Sequence, residues 1–272
     1  MNTRPLISIT TPCWNSGKTI ERTIKSVLEQ KFKDYEYIIV DGGSTDSTLD
    51  IIKKYETQFE GRMRWYSERD NGIYDAFNKG IKHSKGYFCW NVNSDDWLEP
   101  DALFNLELYM KANLNRACIL CCRLNMNDGN NVRTLPMVTH EGIKKSADKM
   151  LFMGIIHPAS IYSKLVYDII GIYDDRYYIS GDMDHFIRCY RSSKVDFIPL
   201  DLVVTNMADG GVSNTFNFRK FNHDRQLRFS KFTSNRFIAY YYITLSNIIF
   251  LKRWLSKKIA NSITNFRSNL HI

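Results

Sequence analysis

Long apolar runs are missing from this sequence of 272 residues. The most apolar tract, 237–251, has only 15 residues and includes Thr244, Ser246 and Asn247. A helix crossing a bilayer needs about 20 apolar residues. Met1 to Pro5 is polar and has no apolar leader core, so a cytoplasmic setting is expected. Zinc-site spacing is missing too. Of the six cysteines, Cys118, Cys121 and Cys122 form C-x-x-C-C inside an apolar run, but no second ligand pair follows. Buried free thiols are expected. No internal repeat or low-complexity tract stands out. Acid is nearly absent from 219–272, where eleven Lys/Arg face Asp224 alone, a net +10. The whole chain carries +8, which leaves −2 for residues 1–218. That balance excludes a nucleic-acid-binding core and describes a basic appendage.

One phosphate-binding motif is present only in part. Gly17-Lys18-Thr19 follows a short apolar strand, as in a P-loop, but the first glycine of G-x-x-x-x-G-K-[ST] is replaced by Pro12. Proline has no N–H to aim at phosphate, so a triphosphate cradle is excluded there. Asn15 or Ser16 is expected to cap the helix that follows.

What is there is an alternation of strand-like and helix-like segments. Residues 6–11 and 35–40 read as strands. Between them Ile20, Ile24, Val27 and Leu28 fall on one helical face. Helices are expected over 47–59, 73–83 and 101–112, with strands over 64–66, 87–92 and 117–124 and a turn-rich loop at 125–131. This order predicts an α/β fold with a mainly parallel sheet, whose ligands bind beyond the carboxyl ends of the strands. The pattern loosens after about Pro100 and turns aromatic and basic from Asn217.

Three acidic clusters carry the candidate chemistry. Asp41-Gly-Gly-Ser-Thr-Asp46 ends a strand, where Asp41 can accept from a base or ribose, while Ser44 or Asp46 can equally cap the next helix. Asn93-Ser94-Asp95-Asp96 puts adjacent carboxylates at a second strand end. They suit Mg2+ or Mn2+, or else form a solvated turn. Ser180-Gly181-Asp182-Met183-Asp184-His185 offers general bases: Asp182, Asp184 or His185. In a strand the two acids share a face and in a helix they diverge; an acidic helix start is the structural alternative.

Taken together, I-S-I-T-T-P-C-W-N, Y-E-Y-I-I-V-D-G-G-S-T-D-S-T, S-E-R-D-N-G-I-Y-D-A-F-N-K-G-I and W-N-V-N-S-D-D resemble the family 2 glycosyltransferases. The likeness is close over about 5–110 and looser through His157-Pro158, 171–174, 181–188 and 210–213. It implies the GT-A fold: a mainly parallel, Rossmann-like nucleotide-binding sheet with a mixed acceptor-side extension and here a helical C-terminal tail. Domains are expected at 1–216 (donor half about 1–112, acceptor half 113–216) and 217–272. The resemblance puts Thr11 and Pro12 in the loop against the nucleotide base, Asp41 on the base or ribose, and Asp70 and Asp75 beside the nucleotide pocket. It puts Asp95 and Asp96 in the metal-binding D-x-D region, although Asn93 stands where many members have the first acid. Asp182 falls on the catalytic aspartate, with Gly181 replacing a common Glu and Asp184 as alternative base. His157 and Arg188 are candidate phosphate or acceptor contacts.

The expected activity is inverting, metal-dependent transfer of a hexosyl or N-acetylhexosaminyl group from a nucleotide-sugar to a glycan or polyprenyl-linked acceptor. Ile-Tyr-Asp-Ala and Gly-Gly-Val-Ser look like transferases of bacterial surface polysaccharides. The tail, 237–258, is expected to lie on the inner face of the plasma membrane as a basic amphipathic helix. The rivals are a sugar-nucleotide nucleotidyltransferase, which needs a Gly-rich basic loop that T-P-C-W-N-S-G-K matches poorly, and a non-catalytic membrane-surface binding protein with a degenerate transferase domain.

Overall fold

The structure, a computed structural model, describes residues 4–150, 153–208 and 217–233 and five single residues beyond them. Two compact units divide the chain, Met1–Gly211 and Val212–Ile272. In the first, β1 (Ile7–Cys13) and β2 (Tyr35–Asp41) are buried at every residue. Strands covered on both faces read as continuous apolar runs, which is why both were visible in the sequence. Parallel pairing joins β1 to β2, β2 to β3 (Met63–Ser67), and β1 to β4 (Phe88–Asn91). Cys13 lies opposite Asp41, and Asp41 opposite Ser67. The carboxyl ends of β1, β2 and β3 therefore open on one edge, at the point where the strand order reverses from β1 to β4.

Helix α1 (Ile20–Leu28) buries Ile20, Thr23, Ile24 and Val27 and leaves Arg22 and Lys25 exposed. The sequence pattern predicts this helix over 18–30, and it starts two residues later, at Ile20. Its N-cap is Thr19, and no side chain caps it. Asn15, at φ 48°, instead accepts from Thr45 N (2.9 Å), while Ser16 supplies its carbonyl to Thr19 N and Ile20 N. The expected capping by either side chain is thus replaced by a tight turn. Helix α2 (Thr48–Glu56) ends in a 3-10 turn, and α3 (Ile73–His83) has the bounds expected from its pattern.

Beyond β4 the sheet becomes mixed. Its order is β3-β2-β1-β4-β8-β6-β9-β5, with β7 (Val132–Thr134) attached to β6 (Cys118–Asn127). β5 is Trp97–Leu98, β8 is Ser160–Ser163 and β9 is Asp196–Ala208. β8 runs antiparallel to both neighbours, and β9 parallel to β6. α4 (Ala102–Lys111), α5 (His140–Lys149), α6 (Lys164–Ile170) and α7 (Gly181–Ser192) complete this unit among the described residues. The loop expected at 125–131 is shorter than anticipated, because β6 continues through Asn127 to pair with β7. All six cysteines are free and buried.

The second unit contributes α8 (Phe218–Phe232). Most of the basic aromatic stretch 237–258 and all of 210–213 lie outside the described residues. Among the described residues no helix is long and apolar enough to cross a membrane.

Candidate active site

Thr11 and Pro12 belong to β1 itself, not to a loop, because pairing with β2 extends to Cys13. Pairing with β4 stops at Thr10, so the missing N–H of Pro12 interrupts no ladder on that side. Thr11 is fully buried and accepts from the Tyr37 hydroxyl (3.1 Å).

Asp41, also fully buried, organises the loop after β2. Its oxygens accept from Gly43 N (3.1 Å), Ser44 N (3.0 Å), Ser67 Oγ (2.7 Å), the Ser44 hydroxyl and the Cys13 thiol. A carboxylate has about four lone-pair sites, so this one is filled by its own surroundings. Burial, then the charge of Asp41, raise the Cys13 thiol well above its ordinary range. Asp46 takes the bracing role: it accepts from Thr48 N (3.0 Å) at the start of α2 and from Gly17 N (2.9 Å). The amide of Gly-Lys-Thr that would face a phosphate in a P-loop therefore already faces a carboxylate of this chain.

Asp70 packs beside this loop. A Cβ on Gly42 would stand 2.5 Å from Asp70 Oδ2, so the backbone approach requires glycine. Burial raises the Asp70 carboxyl, with Asp75 and Asp41 adding to the effect. Asp70 Oδ1 accepts from Gly72 N (3.0 Å), and Asp75 Oδ2 from Asn71 N (3.0 Å), which fixes the turn into α3.

After β4, Asp96 is 1% exposed and Asp95 half-buried. Burial, then the charge of Asp95, push the Asp96 carboxyl up to about 7, although Asn93 Nδ2 donates to it (3.0 Å). Burial raises Asp95 as well, opposed by Arg22. Arg22 does not pair with either carboxylate: its guanidinium donates to the Asp95 carbonyl (2.8 Å) and lies 3.6 Å over the Trp97 ring. The Asn93 Oδ1 is buried without a partner. Two carboxylates short of positive charge beside an orphaned amide oxygen fit a hard divalent cation. Among the described residues no group of three His, Cys, Asp or Glu assembles there.

The third cluster is helical, so its acids diverge. Asp184 is fully buried, accepts from Tyr177 Oη (3.0 Å) and pairs with Arg188 Nε (2.8 Å). Arg188 spends its other donors on the carbonyls of Ile170 and Ile172 (2.8 and 2.7 Å). Asp184 and Arg188 thus tie α7 to the end of α6. His185 is buried against Gly171 O (3.0 Å), and His157 against Tyr173 Oη (2.8 Å). Burial lowers the His157 imidazole, opposed by the charge of Asp182. None of these four presents a free group to substrate. Asp182 does: Oδ1 accepts from Met183 N (2.8 Å) and Tyr74 Oη (3.2 Å), and Oδ2 has no hydrogen-bond partner among the described residues.

A family model for glycosyl transferase family 2 matches residues 8–169, more than half of the chain. The chain belongs to that family. It is a glycosyltransferase, and the GT-A expectation is met by its sheet order. It is 28% identical over 224 residues to a PGL/p-HBAD biosynthesis glycosyltransferase of Mycobacterium bovis, covering 80% of this chain and 82% of that one. Chondroitin synthase of Escherichia coli is 35% identical over 127 residues, 46% of this chain and 18% of the synthase. In fold the chain resembles S. aureus TarS 1-349 in complex with UDP-GlcNAc, with a TM-score of 0.65 at 18% identity, covering 85% of this chain and 67% of that one. It spans 40% of the longer TarS chain. Mannosyltransferase PcManGT from Pyrobaculum calidifontis, in complex with GDP-Man and Mn2+, aligns with a TM-score of 0.58 at 15% identity, over 86% of this chain and 66% of that one.

Within this glycosyltransferase, three contributors escaped the reading of the sequence. Trp14 stands 66% exposed just past β1. The hydroxyls of Ser16 and Ser94 meet at 2.8 Å, joining the loop after β1 to the Asp95 turn. Tyr74 reaches Asp182 across 108 positions. Trp14 had a visible signal, a large aromatic between turn residues at a strand end. The other two are long-range contacts without a local signature.

Proposed function

We propose that this chain moves a hexosyl or N-acetylhexosaminyl group from a nucleotide-sugar to a hydroxyl of a glycan or lipid-linked acceptor, with inversion. The observation that carries this is the contrast within α7: Asp184 is spent on Arg188 and Tyr177, whereas Asp182 keeps one oxygen open. Asp182 Oδ2 takes the acceptor's proton. The acceptor oxygen bonds to the anomeric carbon as the bond from that carbon to the phosphate oxygen breaks, and the nucleotide leaves with the electron pair. The loop organised by Asp41, with Asp70 and Asp75 behind it and Thr11 and Pro12 as its floor, holds the nucleoside. Asp95 and Asp96, joined by the amide of Asn93, would hold Mg2+ or Mn2+. When bound, the ion neutralises charge building on the departing diphosphate.

Residues 1–112 form the donor half and 113–216 the acceptor half of this reading, with the basic tail 217–272 appended. The tail stretch 237–258 brings the enzyme to an anionic membrane surface, on the cytoplasmic side. The names of the relatives support glycolipid or polysaccharide assembly as the setting. Family membership selects the transferase over a nucleotidyltransferase, and the open Asp182 disfavours a non-catalytic surface binder.

The test is thermal-shift screening against a panel of UDP-, GDP- and dTDP-sugars, with Mn2+ and with chelator, followed by transfer assays on Asp182→Asn. One donor class should stabilise the protein in a metal-dependent way, and Asp182→Asn should keep that shift while losing transfer. Full transfer by Asp182→Asn would remove the assigned base, and no response to any donor would remove the substrate class. Equal sedimentation with anionic liposomes by the full chain and by a chain ending at residue 235 would discard the membrane role.

A further inference from the structure

We propose that Tyr74 is a positioning residue that holds Asp182 in its reactive orientation, and that Gly181 is glycine to make room for it. The inference rests on Asp182 as the base. Tyr74 lies in the first turn of α3, 4% exposed, beyond the turn that Asp70 and Asp75 fix. Its hydroxyl donates to Ile179 O (2.7 Å), just before α7, and has Asp182 Oδ1 as a second acceptor at 3.2 Å. Met183 N holds the same Oδ1. One carboxylate oxygen is thereby anchored from two directions, which fixes where the other points.

The ring is placed as firmly as the hydroxyl. A Cβ at position 181 would meet Cγ, Cδ2 and Cε2 of Tyr74, each at 3.0 Å. Three equal distances mean that the backbone of Gly181 lies on the face of the ring. A side chain there would push the ring aside and carry the hydroxyl away from Asp182. The Glu that the family commonly carries at this position would therefore displace Tyr74 by a few tenths of an ångström from this placement.

The same geometry links the two halves of the site. Gly42 touches Asp70, Asp70 fixes Gly72, and Tyr74 follows two residues later to reach Asp182. Order in the loop after β2 is thus passed by direct contact to the base. The other groups that sense the Asp182 charge are His157 on the 3-10 turn before β8, Tyr162 on β8 and Tyr173 after α6. Among the described residues none of these three hydrogen-bonds to Asp182, so Tyr74 supplies the side-chain anchor.

The experiment compares wild type, Tyr74→Phe, Gly181→Ala and Asp182→Asn for kcat, donor KM and the pH profile of kcat. Tyr74→Phe keeps the ring against Gly181 and removes only the hydroxyl. A hydrogen bond to a charged group is worth roughly a tenfold factor, so kcat should fall about tenfold with donor KM within about twofold. Without that donor the carboxylate takes a proton more readily, so the acidic limb should move to higher pH. Gly181→Ala, which keeps the hydroxyl but crowds the ring, should lower kcat in the wild-type background and much less in the Y74F background. Wild-type kcat in Tyr74→Phe beside an inactive Asp182→Asn overturns the proposal while sparing the base. So does a fall in kcat with an unmoved acidic limb, which would assign Tyr74 to holding Ile179 alone. Full transfer by Asp182→Asn instead defeats the base assignment, and this inference with it.

Discussion

Replacing Asp96 by Asn should make the metal-free protein more stable at alkaline pH while disabling it as an enzyme. Asp96 is 1% exposed, and burial together with the Asp95 charge raises its carboxyl from the ordinary 3.8 to about 7. Between those values the folded chain holds a proton that the unfolded chain has released. The stability that this proton contributes therefore declines as pH rises through that window and is fully lost above about 7. The gap of about 3 units corresponds to about 4 kcal/mol by pH 8. Asn is neutral throughout and keeps an oxygen for the Asn93 amide, so the variant escapes this loss. Urea unfolding in chelator should give similar stabilities at pH 4 and an advantage approaching that figure for Asp96→Asn at pH 8. At about 2 °C per kcal/mol, the difference in Tm is roughly 8 °C. Adding Mn2+ at pH 8 should then raise the Tm of wild type and leave the variant unmoved. A constant stability difference from pH 4 to pH 8 would refute the reasoning, because only a titrating group can make the gap open with pH.

Two further substitutions separate structure from chemistry. Asp184→Asn breaks the buried pair with Arg188, and should cost about 3–5 kcal/mol in urea unfolding; Asp182→Asn, at a half-buried site, should change stability by less than about 1 kcal/mol. Equal losses in both would undo the distinction between the two acids. Gly42→Ala drives a Cβ against the Asp70 carboxylate, 2.5 Å away, so the loop must move. Nucleotide-sugar affinity, measured by calorimetry, should drop about tenfold, in line with about 1–3 kcal/mol for overpacking; unchanged affinity would show that the Gly42–Asp70 contact does not shape the donor site.

How much of this was legible depends on the range over which each feature is specified. β1, β2 and α3 were visible because burial on both faces, or on one stripe, is written into a few consecutive residues. β8 was not, since Ser160–Ser163 is too short to show a period and is a strand only because β4 and β6 flank it. The same divide runs through the site. Asp41, Asp95 and Asp96 announce themselves as acids at strand ends, where an α/β sheet places ligands. In G-D-M-D-H spacing cannot rank Asp182 and Asp184, and only the family resemblance puts Asp182 first. What separates them physically is partnership. Arg188, four residues on, claims Asp184 once the segment is helical, and Tyr74, 108 positions away, meets Asp182. Gly17-Lys18-Thr19 shows the converse: a local pattern that names a phosphate site, overruled because Asp46 occupies the Gly17 amide. Residue type at a strand end therefore nominates a functional group, and the long-range contacts decide whether it is left free to act.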